Sequence, residues 1–224
     1  AMSLVQCLHE AGVPAGVINL INGSVDTISP VLLNESRVRK ISLTGSARVG
    51  KLLIKASAET LKRTSMELGG HAPVIIYADA DAEAIAEQAA LVKFKHCGQV
   101  CASPSRYFIH ESPAEAFTDK FIETEWNFKL GNGMESGIDI GPLATKKRLK
   151  EVELMVSGTL KSGARLRLGG KRPEGFDRGF FYEPTVFDQV PDHAPIMQEE
   201  PFGPLVPITT FRYFDEVIER ANSL

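Results

Sequence analysis

The stretch VRKISLTGSARVGKLLIKASAETLKRTSMELGG, residues 38–70, decides how the chain folds. Val38 to Leu43 reads as a strand that runs directly into Thr44-Gly45-Ser46 and then into a helical segment over 47–58. Lys62 to Leu68 is a further strand, broken by Gly69-Gly70. Strand, helix and strand at such short spacing are the signature of a parallel α/β sheet. The two glycines, followed by Pro73, mark a crossing point between domains, which places the boundary after residue 68.

The pattern continues on both sides. Upstream, residues 1–12 read as an amphipathic helix with Leu4, Val5 and Leu8 on one face and Gly12 as its stop. GVINLI at 16–21 reads as a short strand ended by Asn22-Gly23. Residues 24–34 read as a short helix capped by Ser24 and limited by Pro30. Downstream, Pro73 to Tyr77 reads as a buried strand, and Asp81 caps a helix with Ile85, Ala89 and Val92 on one face. Arg106 to His110 is a strand, and Ser112-Pro113-Ala114-Glu115 starts a helix with a capping box and an early proline. A helix is expected over Lys146–Lys161, and a glycine- and arginine-rich excursion with short strands over 163–184. VPITTF at 206–211 is a last strand, followed by a helix from Phe214 to Leu224.

Composition excludes several classes of function. The chain is 43% hydrophobic and 24% charged, ordinary for a globular protein. A net charge of -3 argues against nucleic-acid binding, which needs clustered Lys and Arg. There is no run of eighteen apolar residues, so no membrane span is expected. Three cysteines without a secretion signal read as free thiols in a reducing, cytoplasmic setting.

Four segments could carry chemistry. Gly45 to Lys51 nearly matches a phosphate-binding loop but fails at Leu52, which offers no hydroxyl for magnesium. It still joins a strand to a helix N-terminus, so pyrophosphate cradle and plain turn stand level. Cys101, among small residues in CGQVCAS (97–103), is either an accessible nucleophile or an inert buried thiol. His96, Cys97 and Cys101 fit zinc poorly, and no metal site is expected. Glu67 stands at a strand end before two glycines, where open parallel sheets bind ligands; its plainer reading is a solvated carboxylate. Gln198 to Pro204 makes a rigid turn with two acids and an aromatic.

Taken in order, these segments resemble the aldehyde dehydrogenase superfamily along essentially the whole chain. AGVPAGVINLING and ISLTGSARVG are similar to the family's coenzyme-side segments, MELGG to its glutamate motif, GQVCAS to its cysteine motif, and EEPFGP to a late coenzyme-ribose motif. The resemblance implies a parallel-sheet α/β fold, with residues 1–68 part of an NAD(P)-binding domain and 69–224 a catalytic domain that is C-terminally incomplete. It implies Cys101 as nucleophile and Glu67 as general base. It also implies a coenzyme site, for NAD or NADP, that includes Gly23, Thr44, Gly45, Ser46, Leu68, Gly69, Glu200 and Phe202. Glu67 favours hydrolysis of the acyl enzyme over transfer to coenzyme A.

GQVCASPSR and ELGGHAPVI look most like the succinate-semialdehyde branch, where an arginine before the cysteine motif holds the substrate carboxylate. Lys95 stands there instead, with the charge but not the bidentate fork. The partners implied are a small aldehyde and other copies of the chain, as a dimer or tetramer. The family's oxyanion asparagine and adenosine-side lysine lie upstream of residue 1, so the chain is expected to be a central fragment, nearly inactive alone. A non-catalytic module and a coenzyme-independent thiol esterase are the competing expectations; turnover of an ester without coenzyme separates them.

Overall fold

A computed structural model describes residues 1–224, which divide into two compact units, Ala1–Leu68 and Gly69–Leu224. The first unit holds α1 (Met2–Glu10), α2 (Val25–Asn34), β1 (Lys40–Gly45), α3 (Ala47–Ala58) and β2 (Arg63–Leu68). β1 and β2 pair in parallel from Lys40 opposite Arg63 to Gly45 opposite Leu68, which sets Thr44 beside Glu67. Gly50 is buried on α3, and a Cβ there would lie 2.7 Å from a Leu68 methyl. Glycine thus lets the helix settle directly onto the strand end that carries Glu67. Lys62 does a different job just before β2. Its ammonium donates to the carbonyls of Glu35 and Val38 at 2.7 and 2.8 Å, tying the chain after α2 to the sheet.

Two expectations for this unit need correction. Residues 16–21 form no strand. The backbone turns at Gly16 (φ 87°), the Val17 N–H bonds the Pro14 carbonyl, and the Asn19 amide donates to Gly16. No other strand pairs with the segment, and Val17 and Ile21 remain largely exposed. Apolar β-formers do not make a strand when their backbone groups lack a ladder partner. The helix expected over 24–34 does form, with Pro30 inside it, but Ser24 at its N-cap makes no side-chain capping bond. A proline forfeits one helical bond, which a short exposed helix tolerates.

The second unit is built on a five-stranded sheet of order β3-β4-β7-β6-β5: β3 Pro73–Ile76, β4 Arg106–His110, β5 Arg165–Leu168, β6 Thr185–Asp188 and β7 Leu205–Phe211. All neighbours are parallel except β5, which runs antiparallel to β6 at the edge. β4 and β7 are buried almost throughout, as expected of central strands covered on both faces. The helices are α4 (Ala82–Lys93), α5 (Ala114–Trp126), α6 (Lys146–Lys161), α7 (Pro195–Gln198) and α8 (Phe214–Ala221). α4 packs on α5, and Phe94, Tyr107, Phe117 and Phe121 form an aromatic cluster beneath them.

Here too the structure departs from expectation in places. α4 buries Ala82, Ala86, Ala90 and Lys93, whereas Val92 is exposed. Close approach to α5 selects the alanine stripe over the larger side chains. Ser112 does not cap α5: its hydroxyl pairs with His110 Nδ1 at 2.9 Å, and Pro113 occupies the cap position without a side-chain bond. β6 and the single-turn α7 carry no periodicity that sequence could show, and α8 ends at Ala221, three residues before Leu224.

Candidate active site

In the first unit the expected residues gather at the C-terminal end of β1 and β2. Thr44, Gly45 and Ser46 are exposed at the step into α3. Ser46 is the N-cap and accepts from the Val49 N–H at 3.4 Å. The first turn of α3 contains no acidic residue, so this N-terminus can take a phosphate. Glu67, exposed, is the penultimate residue of β2, and Leu68 beside it is anchored on Gly50. Gly23 lies upstream in the turn before α2, packed near Ile28.

In the second unit three segments converge: residues 69–71, 93–101 and 199–204. α4 ends at Lys93 and passes into a tight turn in which His96 and Cys97 adopt left-handed φ of 51° and 58°, followed by Gly98 at 71°. Non-glycine residues in this region are costly and survive where the surroundings hold them. Gly98 sits against the loop at Gly203, so closely that a Cβ would lie 2.2 Å from the Gly203 oxygen. The chain then rises to Cys101, which is exposed, and whose carbonyl lies 3.6 Å from the place a Gly70 Cβ would occupy. Gln99 steadies this segment by accepting from the Ala144 N–H at 2.9 Å and donating to the His96 carbonyl.

The Glu200 carboxylate packs on Gly69, where a Cβ would lie 2.2 Å from Oε2. Burial raises its carboxyl above the usual carboxylate value, and the neighbouring Gly70 N–H, the Arg148 charge and the Lys93 charge oppose that rise. Phe202 follows in a left-handed conformation (φ 39°), its ring 5.7 Å from the Arg148 guanidinium. This open, glycine-floored arrangement, with a carboxylate and an aromatic edge, fits a diol-bearing nucleotide. Beneath it His71 donates from Nε2 to the Ile196 carbonyl at 3.0 Å and accepts from the Ser105 hydroxyl at 2.8 Å. Burial, then the Arg106 charge, holds that imidazole at about 4 and therefore neutral.

Lys93 is the group that sequence reasoning left unassigned. Its side chain is 1% exposed, and Nζ has no hydrogen-bond partner. Its one sequence signal is a lysine in register with the small, buried face of α4. Burial lowers the amine to about 7, while Cys97 and Glu200 pull it upward. Cys97 is buried too, and burial pushes its thiol up to about 12 against the influence of Lys93. Cys97 is therefore the inert thiol of the pair, not a competitor of Cys101. Lys95 is exposed and lines a small hollow of about 100 Å³ with Leu91, Phe94, Phe128 and Asp139 rather than with Cys101. Arg148, near both Glu200 and Phe202, is a further residue that the motifs did not identify.

No helix is long and apolar enough to cross a membrane. Residues 1–224 match the aldehyde dehydrogenase family. The chain is 43% identical over 223 residues to 3-sulfolactaldehyde dehydrogenase of Pseudomonas putida, covering 100% of this chain and 46% of the relative. It is 37% identical over 222 residues to the succinate-semialdehyde dehydrogenase [NADP(+)] GabD of Escherichia coli, covering 99% and 46%. The solved succinate-semialdehyde dehydrogenase from Burkholderia pseudomallei superposes with a TM-score of 0.95 at 39% identity, over 99% of this chain and 46% of that one. The chain thus spans about half the length of the curated relatives it matches.

Proposed function

The chain belongs to the aldehyde dehydrogenase family, and from that premise we propose that it supplies the nucleophile, the general base and part of the coenzyme site for oxidising a small aldehyde to its carboxylic acid with NAD or NADP. In this reading residues 1–68 are coenzyme-side and 69–224 carry the nucleophile. The observation that carries it is the convergence in the second unit. Cys101 is exposed at the end of a strained turn, against the same Gly69-Gly70 pair on which Glu200 rests.

The thiolate of Cys101 adds to the aldehyde carbonyl, and the oxyanion that develops is met by the Cys101 backbone N–H. The nicotinamide coenzyme, when bound, supplies the hydride acceptor. Loss of hydride leaves a thioester on Cys101. Glu67 takes a proton from water as that water attacks the thioester, the acid departs, and Cys101 is released as thiolate. Thr44, Gly45 and Ser46 would hold the pyrophosphate at the α3 N-terminus, with Gly23, Leu68 and Gly69 lining the coenzyme. Glu200 would accept from the ribose hydroxyls, with Phe202 beside the nicotinamide.

The substrate class proposed is a small aldehyde bearing an anionic group, succinate semialdehyde or a similar one. The names of the relatives support this, since sulfolactaldehyde and succinate semialdehyde both carry an acid. The complete protein would act as a dimer or tetramer. The test is NAD+ and NADP+ reduction by the complete protein with a panel of aldehydes, with and without an acid group, beside its Cys101→Ser variant. Reduction that is aldehyde-dependent and lost in the variant supports the reading. Turnover that survives the loss of Cys101 overturns it, and ester hydrolysis alone, without coenzyme, would indicate a thiol esterase.

A further inference from the structure

Lys93 presents a physical problem. A lysine ammonium that is fully buried gives up its hydration, and such groups are normally paired or hydrogen-bonded. This one has no hydrogen-bond partner. The titratable groups that face it are few and come from three segments. His71, from the turn before β3, is neutral. Cys97, from the left-handed turn, is a protonated thiol. Glu200, from the 199–204 loop, is the one group whose charge opposes that of Lys93. Contact between Gly98 and Gly203 binds the turn to that loop, and Glu200 itself rests on Gly69 and Gly70.

The two partners differ in their access to water. Lys93 is sealed, at 1% exposure, whereas Glu200 is only partly buried. A ligand that covers Glu200 therefore changes little in the surroundings of the amine itself. It removes the water that screens the carboxylate, and the attraction between the two charges strengthens as the local dielectric falls. Hydroxyl donors on the ligand meanwhile hold Glu200 in its anionic form.

We propose that Lys93 is a positioning residue for the nucleotide site: its buried ammonium steadies the Glu200 carboxylate, and capture of a ribose diol by Glu200 is coupled to uptake of a proton by Lys93. This rests on the reading that Glu200 binds the coenzyme ribose. The amine, lowered to about 7, is only part-protonated near neutrality, so there is a proton to be taken up on binding. Affinity then tightens as pH falls through this range and is flat well below it, where Lys93 is already charged. A purely structural lysine would give neither effect.

The experiment is calorimetric titration of the complete protein with NAD+ and with NADP+, at pH 6.5 to 8.5, in buffers of different ionisation enthalpy. Uptake of a fraction of a proton, about one half, is expected in the wild type near pH 7.5, with affinity changing correspondingly by about threefold per pH unit. Lys93→Met, close in shape and free of charge, should fold, lose the uptake and bind with a weaker, flatter pH profile. The wild-type measurement needs no variant, so absence of proton uptake there overturns the inference even if Lys93→Met fails to fold. Glu200→Gln separates the two readings. If it binds both nucleotides as tightly as wild type, the ribose role of Glu200 falls and the Lys93 coupling falls with it. If it weakens binding while Lys93→Met keeps the wild-type uptake and profile, Glu200 stands and Lys93 alone is refuted.

Discussion

Gly69 and Glu200 are matched so closely that a single methyl group would separate them: a Cβ on Gly69 would lie 2.2 Å from Glu200 Oε2. The obstructed atom is the tip of a flexible side chain, so Gly69→Ala should displace the carboxylate rather than break the fold. We expect a stability change under about 1 kcal/mol, within the range for sites that can relax, together with weaker nucleotide binding. Gly98→Ala is the contrast. There the Cβ would meet the Gly203 backbone oxygen at 2.2 Å, and φ is +71°. Left-handed strain alone is worth about 1–3 kcal/mol, and backbone cannot swing aside. Denaturant titration of the two variants should separate them clearly; equal midpoints would refute the distinction.

Glu125 carries its own prediction. Both carboxylate oxygens are buried without a partner at the end of α5, and burial holds the group well above its usual value. The folded state keeps this proton after the unfolded chain has lost it. The resulting stability is present in full below the unfolded value near 4.5 and is lost as pH rises toward the folded value. Glu125→Leu should remove that slope and raise stability at pH 8.5 by about 1–3 kcal/mol, the usual cost of an unsatisfied buried polar group. Thermal midpoints at pH 5.5 and 8.5 provide the check. A wild type whose midpoint is no more pH-sensitive than the variant's would contradict the assignment.

The thiols should respond unequally to alkylation. Cys7 and Cys101 are exposed, whereas Cys97 is sealed and its thiol pushed up to about 12. Brief treatment with iodoacetamide at neutral pH, followed by peptide mapping, should modify Cys101 and Cys7 and spare Cys97. The nucleophile reading adds that Cys101 reacts first. Labelling of Cys97 in the folded protein would mean that the turn opens readily.

If Glu67 activates the deacylating water, Glu67→Gln should slow thioester hydrolysis by roughly 10²–10⁴-fold while sparing hydride transfer. Stopped-flow absorbance would then show a burst of reduced coenzyme before a slow steady state. An equal loss in both phases would assign Glu67 a different role.

Much of this architecture could be read in the sequence because long amphipathic segments advertise themselves. The bounds of α3 and α6 are those the spacing predicts, and β4 stands out as an apolar run between turns. The four residues of β6 and the single turn of α7 are too short to show a period, and the apolar run at 16–21 misled because nothing pairs with it. Motifs singled out Cys101, Glu67 and Glu200 by residue type and order. They could not reveal Lys93 or Arg148, because a lysine at the end of a helix looks the same in sequence whether it is solvated or sealed. Nor could they foresee the left-handed geometry at His96 and Cys97, which lies just before the close approach of Gly98 to Gly203 and is set by no motif.

The strap that bears Cys101 is clamped at both ends. Gly98 is wedged against Gly203, and beyond the thiol the N–H groups of Ser105 and Arg106 both reach the Ala72 carbonyl, at 3.1 and 3.2 Å. Arg106 extends the second clamp, since its guanidinium bonds the carbonyls of His71 and Ala221. Between these points a turn closed by the Ser103 N–H on Val100 leaves the backbone at Cys101 little freedom to wander. A short tether fixed in this way surrenders its conformational entropy when the chain folds, not when a reactant arrives. The thiol is thereby presented at a high effective concentration toward whatever lies beside it.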